Sequence, residues 1–519
     1  MRFLYFLFTG LWLGLSHWAL AQPDTYLALD FDGNLHNKGQ KDPAVYMMNF
    51  QPSFVQGLSG KCLDLSANSP SRGKVVVRGQ INLDTEQDFA LMLWVKTPQG
   101  AMNNHSMIGT KDIGDPKTKG WYLAAQANGS WAWNIADGKN FYQYQPTEER
   151  QTINDGKWHL LAFSLNRKKQ EARLYYDGKN VAIYNIKGVG DLSNDADLCL
   201  GAGSTVKLEE MYTFNGYLDQ VKVWNSTLSA EAVRQEYQRF FQLEAELQKA
   251  KVEELKILSF NIWHGGRETG EFVGVQRVID VIKHSGADII SMQETYGSGE
   301  EIADALGYYF YLRSSNLSIM SRYPIGETQD LFRPFNSGGA KVHVSKGQSL
   351  NFYTVWLHYL PDYWTQVKNK ENVPADTLIA AEEATRLAEI QTILKEIQPQ
   401  LEKADQTPVI MAGDFNSGSH LDWVKKAAHL HNGFVVDWPV SKAILNAGFA
   451  DSYRKAHPDP VKYFGRTWSP RFTEETQDRI DYIYFKGKKL KVIDSQMLDK
   501  HPVKWPSDHA AVLTTFKLK

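Results

Sequence analysis

The residues of this chain best equipped for chemistry sit where short apolar runs stop abruptly on a polar side chain. Val409-Ile410-Met411-Ala412-Gly413-Asp414-Phe415-Asn416 ends in a carboxylate and a carboxamide two residues apart. On an extended chain such residues point to the same side. Lys256-Ile257-Leu258-Ser259-Phe260 stops on Asn261, Ala287 to Gln293 on Glu294, and Phe352 to Leu357 on His358. Asp481 enters a fifth run, Ile480 to Tyr484, and the pair Asp508-His509 stands just before the last one. One such ending is an ordinary turn signal. Six of them find a common explanation if the runs are strands of layered sheets whose ends share one edge and converge on one cavity.

The types present narrow the chemistry. Glu294, Asp508 and the Asn261 carboxamide are hard oxygen donors of the kind Mg²⁺ or Mn²⁺ takes, and this half of the chain has no cysteine for a softer site. Two histidines stand among carboxylates able to orient and charge them. Such a set suits metal-assisted attack of water on a phosphate ester, in which a carboxylate directs the water and an imidazolium stabilises the developing charge. There is no Gly-x-Ser-x-Gly elbow, Walker loop or dinucleotide fingerprint, which argues against a serine hydrolase or a nucleotide-cradling enzyme.

The elements that must position these residues follow from periodicity. From Leu255 onward strand-like runs alternate with helical spacing, Phe272 to Ser285 and Thr377 to Ile397 being the clearest helices, so an α/β layered domain is expected over 255–519. Its motifs, Asn261, Gln293-Glu294, His358, Gly413-Asp414-Phe415-Asn416, Arg479-Ile480-Asp481-Tyr482 and Ser507-Asp508-His509, resemble in order those of the endonuclease/exonuclease/phosphatase superfamily. The resemblance implies a four-layer α/β sandwich and a divalent-metal phosphoesterase. It implies Glu294 as the main metal ligand, assisted by Asn261 and Asp508, and Asp414 as the residue that orients or deprotonates water. It further implies Asn416 and His358 as phosphate contacts, and His509 as the catalytic histidine oriented by Asp481.

The first half reads differently. From Thr25 to about Trp224 short strands are broken by Gly, Asn and Asp, and Asp177-Gly178 between alternating runs is a hairpin signal. Leu29-Asp30-Phe31-Asp32-Gly33, Phe89 to Val95, Asp155-Gly156-Lys157-Trp158-His159-Leu160, Leu174 to Gly178, and Gly216 to Trp224 resemble the concanavalin A-like (laminin-G-like) jelly rolls. That resemblance implies an all-β sandwich over 22–226 serving as a carbohydrate- or protein-binding module. Trp121, Trp131 and Trp133 fit either a sugar platform or the sandwich core, the core being the expectation. Residues 227–254, opening on Ser229 and rich in Glu, Gln, Lys, Ala and Leu, read as a helical linker.

Residues 1–21 have the form of a secretory signal peptide: Arg2, an apolar Phe3 to Leu15, and Ala19-Leu20-Ala21 before Gln22. A secreted or periplasmic location is expected, with an uncleaved anchor the alternative. Cys62 and Cys199, both in strand-like contexts, are open to a disulfide or to two buried thiols. The 519 residues carry a net charge of −2, and residues 255–519 hold 31 Lys and Arg against 31 Asp and Glu. A duplex-binding enzyme ordinarily shows a basic excess, because phosphate contacts dominate its affinity. The substrate class stays open among a phospholipid headgroup, a phosphoglycan, an inositol phosphate and nucleic acid, with an extracellular nuclease as one alternative and a non-catalytic glycan-binding adhesin as another. Tyr359-Leu360-Pro361-Asp362-Tyr363-Trp364, beginning beside His358, reads as a specificity loop, and Trp438 and Trp468 as further aromatic walls.

Overall fold

The computed structural model describes residues 25–48, 50–69, 73–79, 81, 83–204, 213–243, 251–369 and 373–519. The signal-like segment and residues 244–250 of the expected linker lie outside them. Among the described residues no helix is long and apolar enough to cross a membrane.

The N-terminal domain is a sandwich of two antiparallel sheets. One face is built on Phe89–Lys96, His159–Asn166, Glu171–Tyr176 and Tyr217–Trp224; the other is a seven-stranded sheet that includes Gly120–Ala125 and Trp131–Ala136. The hairpin signal acts as composition dictates: Asp177 (φ 48°) and Gly178 (φ 79°) both take the left-handed turn that joins Glu171–Tyr176 to Lys179–Asn185. Trp121, Trp131 and Trp133 are fully buried between the sheets with Phe89 and Phe163. They are core, and no sugar reaches their faces. Cys62 and Cys199 are buried free thiols. Ser229 caps the helix Ala230–Gln238 by accepting a bond from Ala232 N–H. The helix packs Tyr237, followed by Phe240 and Phe241, around Trp94 on the outside of the sandwich.

The C-terminal domain stacks two sheets between helices. Glu254–Asn261 lies parallel to Ile289–Gln293 in the first sheet, and Gln348–Trp356 parallel to Val409–Asp414 in the second. Their facing sides share a core of Ile257, Ile289, Phe352, Ile410 and Ile483. Helices Val273–Ser285 and Gly299–Leu306 cover one outer face, and Ala388–Glu396 and Pro439–Asn446 the other. The expected helix from Thr377 to Ile397 is interrupted. Two α-helical lengths, Ala375–Glu382 and Ala388–Glu396, flank a π-helical turn at Glu383–Leu387. That turn directs Arg386 inward, where an uninterrupted helix would change its angle.

The two domains share a sheet. Ala182, Ile183 and Tyr184 pair in parallel with Phe310, Tyr311 and Leu312, which joins the edge of the sandwich to the edge of the first α/β sheet and makes fourteen strands continuous. Tyr184 meets Phe310 edge-on at 6.0 Å. Buried Asp304 clasps the seam by accepting from Thr147 N–H (3.0 Å) and Gln151 Nε2 (2.9 Å), and Arg173 donates to Gly326 O (2.8 Å). Beyond the packed helix Ala230–Gln238 of the expected linker, paired backbone joins the halves.

Candidate active site

All eight candidate residues stand along one edge of the two sheets. Asn261 and Asp414 are the last residues of their strands, and Glu294 follows directly after Gln293. Asp481 opens an antiparallel strand and lies in register opposite Asp414. Gly413 is required by the close approach of the chains: a Cβ there would come within 1.9 Å of Val355 O. Glu294 (φ 58°) and Asn416 (φ 48°) both adopt left-handed backbone, a strained conformation that bends each side chain out of the strand line and toward the opening.

The centre is a buried His–carboxylate pair. His509 Nδ1–H donates to Asp481 Oδ2 at 2.8 Å, which leaves Nε2 directed at Asp414 Oδ2, 4.0 Å away. The loop holding His509 is tied down: its N–H donates to Ser507 Oγ, whose hydroxyl donates to Asn261 O (2.7 Å), and Trp505 Nε1–H donates to His509 O (2.7 Å). Trp468 closes over the imidazole edge-on at 5.1 Å. Burial opposes charge on His509, but Asp481, Asp414 and Asp508 outweigh it and hold its pKa well above the ordinary histidine value. The Asp414 carboxyl is pushed up to about 8, first by burial and then by Asp481. Asp508 is pushed up to about 6 by burial, with Glu294 adding to the effect.

Asn261 ties the halves of the site together. Its Nδ2 donates to Glu294 Oε1 and to Asp414 Oδ2, each at 3.2 Å, while its oxygen accepts from Trp263 N–H. Glu294 Oε2 accepts from His264 N–H at 2.9 Å. Asn416 holds Asp414: its N–H donates to Oδ1 (2.9 Å) and its Nδ2 to Oδ2 (3.3 Å) and to Leu357 O (2.8 Å). Both amides therefore brace carboxylates, and they do so within the cluster where their contacts with metal and phosphate are expected. Four carboxylates, Glu294, Asp414, Asp481 and Asp508, converge against one imidazolium. That imbalance fits a bound divalent cation, for which Glu294 and Asp508 would be the hard oxygen donors. Asp414, Asp481 and His509 also bring donor atoms within 4.8 Å of one another, but Nδ1 of His509 is committed to its hydrogen bond with Asp481, which leaves Asp414 opposite Nε2.

His358 lies on the opposite rim, exposed and stacked on Tyr359 at 5.2 Å. Its Nδ1 lies 3.1 Å from Leu360 N and 3.3 Å from Leu360 O, which leaves Nε2 for a ligand. Sequence reasoning missed what holds it. Arg386, delivered by the π-turn, donates to the carbonyls of His358, Tyr359 and Pro361 and pairs with buried Glu382, while Glu389 accepts from His358 N–H (2.9 Å). Nothing in a run of Ala, Glu and Leu marks one arginine as inward-facing. Arg386→Met is expected to raise KM about tenfold and leave kcat within about threefold, since several charge-assisted bonds that order the rim would be lost. The companion Glu382→Gln/Arg386→Met, which leaves no unpaired buried charge, should show the same KM with recovered stability in a melting experiment.

Glu294, His358, Asp414, Asn416, Asp508 and His509 open on a cleft of about 800 Å³, walled by Trp263, Tyr296, Phe335, Trp356, Tyr359 and Trp468, while Asn261 and Asp481 lie behind its lining. Tyr359, Leu360, Asp362 and Trp364 of the expected specificity loop reach it, as does Trp468. Trp438 does not; it is fully buried against Tyr363 and Trp423. Arg479, from the motif beside Asp481, lies behind the wall in a buried ion cluster with Asp422 (2.8 Å) and Asp451 (2.7 Å).

Two family models agree with this architecture. Residues 258–509 match the model of the Endonuclease/Exonuclease/phosphatase family, and residues 71–234 that of the Concanavalin A-like lectin/glucanases superfamily. An uncharacterized protein of Caenorhabditis elegans is 27% identical over 291 residues, covering 50% of this chain and 91% of that one. Among solved structures, C. elegans TDP2 matches with 16% identity and a TM-score of 0.36, over 51% of this chain and 75% of that one. The human Nocturnin catalytic domain matches with 15% identity and a TM-score of 0.36, over 52% and 97%. The chain thus carries an endonuclease/exonuclease/phosphatase family domain set downstream of a concanavalin A-like domain.

Proposed function

We propose that this protein is an exported phosphodiesterase that hydrolyses a phosphate ester by attack of water. The observation that carries the reading is the His509–Asp481 pair facing Asp414 across 4.0 Å, with Glu294 and Asp508 alongside in one aromatic-walled cleft. Glu294 and Asp508 would hold a divalent cation, Mg²⁺ or Mn²⁺, which when bound neutralises phosphate charge. Asp414 is placed to accept the proton of the attacking water, and its elevated pKa suits a base working near neutrality. His509 donates from Nε2 to a phosphate oxygen as charge builds, with Asp481 fixing its tautomer. His358 Nε2 serves the phosphate from the other rim. Asn261 and Asn416 keep the carboxylates aimed. Export is supported by the signal-like segment alone.

The full-length protein loaded with Mg²⁺ or Mn²⁺ is expected to cleave bis-p-nitrophenyl phosphate, to lose that activity in EDTA, and to regain it when the metal is restored. A substrate panel of DNA, RNA, sphingomyelin, phosphatidylinositol, inositol phosphates and phosphoglycans then identifies the class. A folded, metal-loaded protein that hydrolyses no member of this panel and no p-nitrophenyl ester would overturn the reading. Glycan binding without any turnover would replace it with an adhesin.

A further inference from the structure

A second groove of about 660 Å³ runs along the seam between the domains. Arg333 and Phe335 line both it and the catalytic cleft, so the two spaces meet at these residues. We propose that this groove is a second substrate subsite, which holds the next phosphate-bearing unit of a chain of sugars or polyols linked by phosphodiesters. The proposal rests on the phosphodiesterase reading and extends it to the jelly roll, which supplies one wall.

Three features of the groove support this. The first is a built cation. The Arg313 side chain is almost fully buried; Nε donates to Ser337 O (2.8 Å), and Nη2 donates to Leu331 O (2.9 Å) and to Asp330 (2.5 Å). The guanidinium also faces the Tyr311 hydroxyl, and its Nη1 is buried without a hydrogen-bond partner. Arg313 thus lies beneath the groove as a fixed cation whose charge Asp330 offsets in part. The second is charge. Arg333 and the jelly-roll residues Lys139 and Lys187 surround the same space, with Lys187 standing 3.9 Å from Asp330. The facing acid, Glu300, has its carboxyl pushed up to about 7 by burial and so opposes them weakly at neutral pH.

The third feature concerns what lies between the phosphates. The wall between the cations carries Gln143, Asn185 and Ser315, amide and hydroxyl groups suited to a hydroxyl-rich ligand. A single-stranded nucleic acid would call for a row of open ring faces. Here Tyr142 is half-buried with its ring edge-on to Tyr184 at 5.9 Å, and only Phe335 is broadly exposed. One platform among amides fits a glycan repeat better than a run of bases.

Lys139→Glu/Lys187→Glu tests the inference without touching the catalytic residues. With bis-p-nitrophenyl phosphate the variant should match the parent within about twofold. With phosphodiester-linked glycan oligomers of three or more repeats its kcat/KM should fall at least about tenfold, mostly through KM, as expected when charge-assisted contacts to phosphate turn repulsive. The parent should also prefer three repeats to one, and the variant should lose that preference. Equal loss on both substrates, or no loss on either, overturns the subsite. The same length dependence with single-stranded DNA or RNA, absent with glycan phosphates, overturns the ligand class. Calorimetric titration of an uncleaved oligomer into His509→Ala, with and without the two Lys→Glu changes, separates this inference from its premise. Groove-dependent binding by a protein that hydrolyses nothing would overturn the hydrolase and keep the subsite, whereas hydrolysis with groove-independent binding would do the reverse.

Discussion

His509→Ala is expected to lower kcat on bis-p-nitrophenyl phosphate by about 10³-fold, equivalent to about 4 kcal/mol of transition-state stabilisation, with KM changed by less than about threefold. The size follows from position. Burial opposes charge on His509, but Asp481, Asp414 and Asp508 hold its pKa well above the ordinary histidine value, and Asp481, 2.8 Å from Nδ1, fixes its tautomer. A cation held in a dry site stabilises developing negative charge far more than one in water. Asp481→Asn should cost less, about 10²-fold, because the imidazole survives while its tautomer and charge are no longer enforced. Steady-state kinetics on the three proteins decide the matter. If His509→Ala and Asp481→Asn both retain parental kcat while melting normally, the assignment of the acid–base centre is wrong.

The largest expected loss of stability comes from Asp422→Ala. Asp422 is buried and serves two arginines at once: Arg454 Nε at 2.5 Å, and Arg479 through Nε at 2.9 Å and Nη2 at 2.8 Å. Arg454 keeps its carbonyl partners on His457, Tyr463 and Phe464, and Arg479 keeps Asp451, but two guanidinium charges then share one carboxylate. Removing one member of a buried ion cluster typically costs about 3–5 kcal/mol, since the remaining charge stays desolvated. Denaturant titration should show that loss as a lower midpoint at unchanged slope. Replacing Arg454 with methionine in the same background should recover part of it. The cluster underlies the segment from Thr467, whose hydroxyl accepts from Ile480 and Asp481 N–H, to Asp481 itself, so activity should decline before the protein unfolds.

Much of this was readable in the sequence because strand ends are local events. A run such as Val409 to Ala412 followed by Gly-Asp-Phe-Asn announces a strand, its end and two side chains on one side, and the structure places them there. The carboxylate and histidine positions follow from that register. The hydrogen bonds of the two asparagines did not follow: which neighbouring carboxylates an amide braces depends on atoms from other strands, as Asn261 shows with Glu294 and Asp414. Arg386 was harder still: it is aimed by a π-turn, a geometry that leaves no periodic trace in composition. The docking of the domains was equally hidden, because Tyr309–Leu312 and Lys179–Asn185 read as ordinary strands and nothing local says that their open edges meet.

That meeting of edges changes what kind of accessory the jelly roll can be. A module on a flexible linker raises the local concentration of a partner but imposes no spacing. Here three residues of backbone pairing and the Asp304 clasp fix both walls in one register, so a group held by the sandwich lies at a set distance from the phosphate being cut. The first domain then works as a ruler, and repeat length along a substrate becomes something the protein can measure. Each domain also shields a strand edge that the other would expose alone, an edge prone to unwanted pairing. Severing the two would remove the gauge and uncover the seam in the same cut.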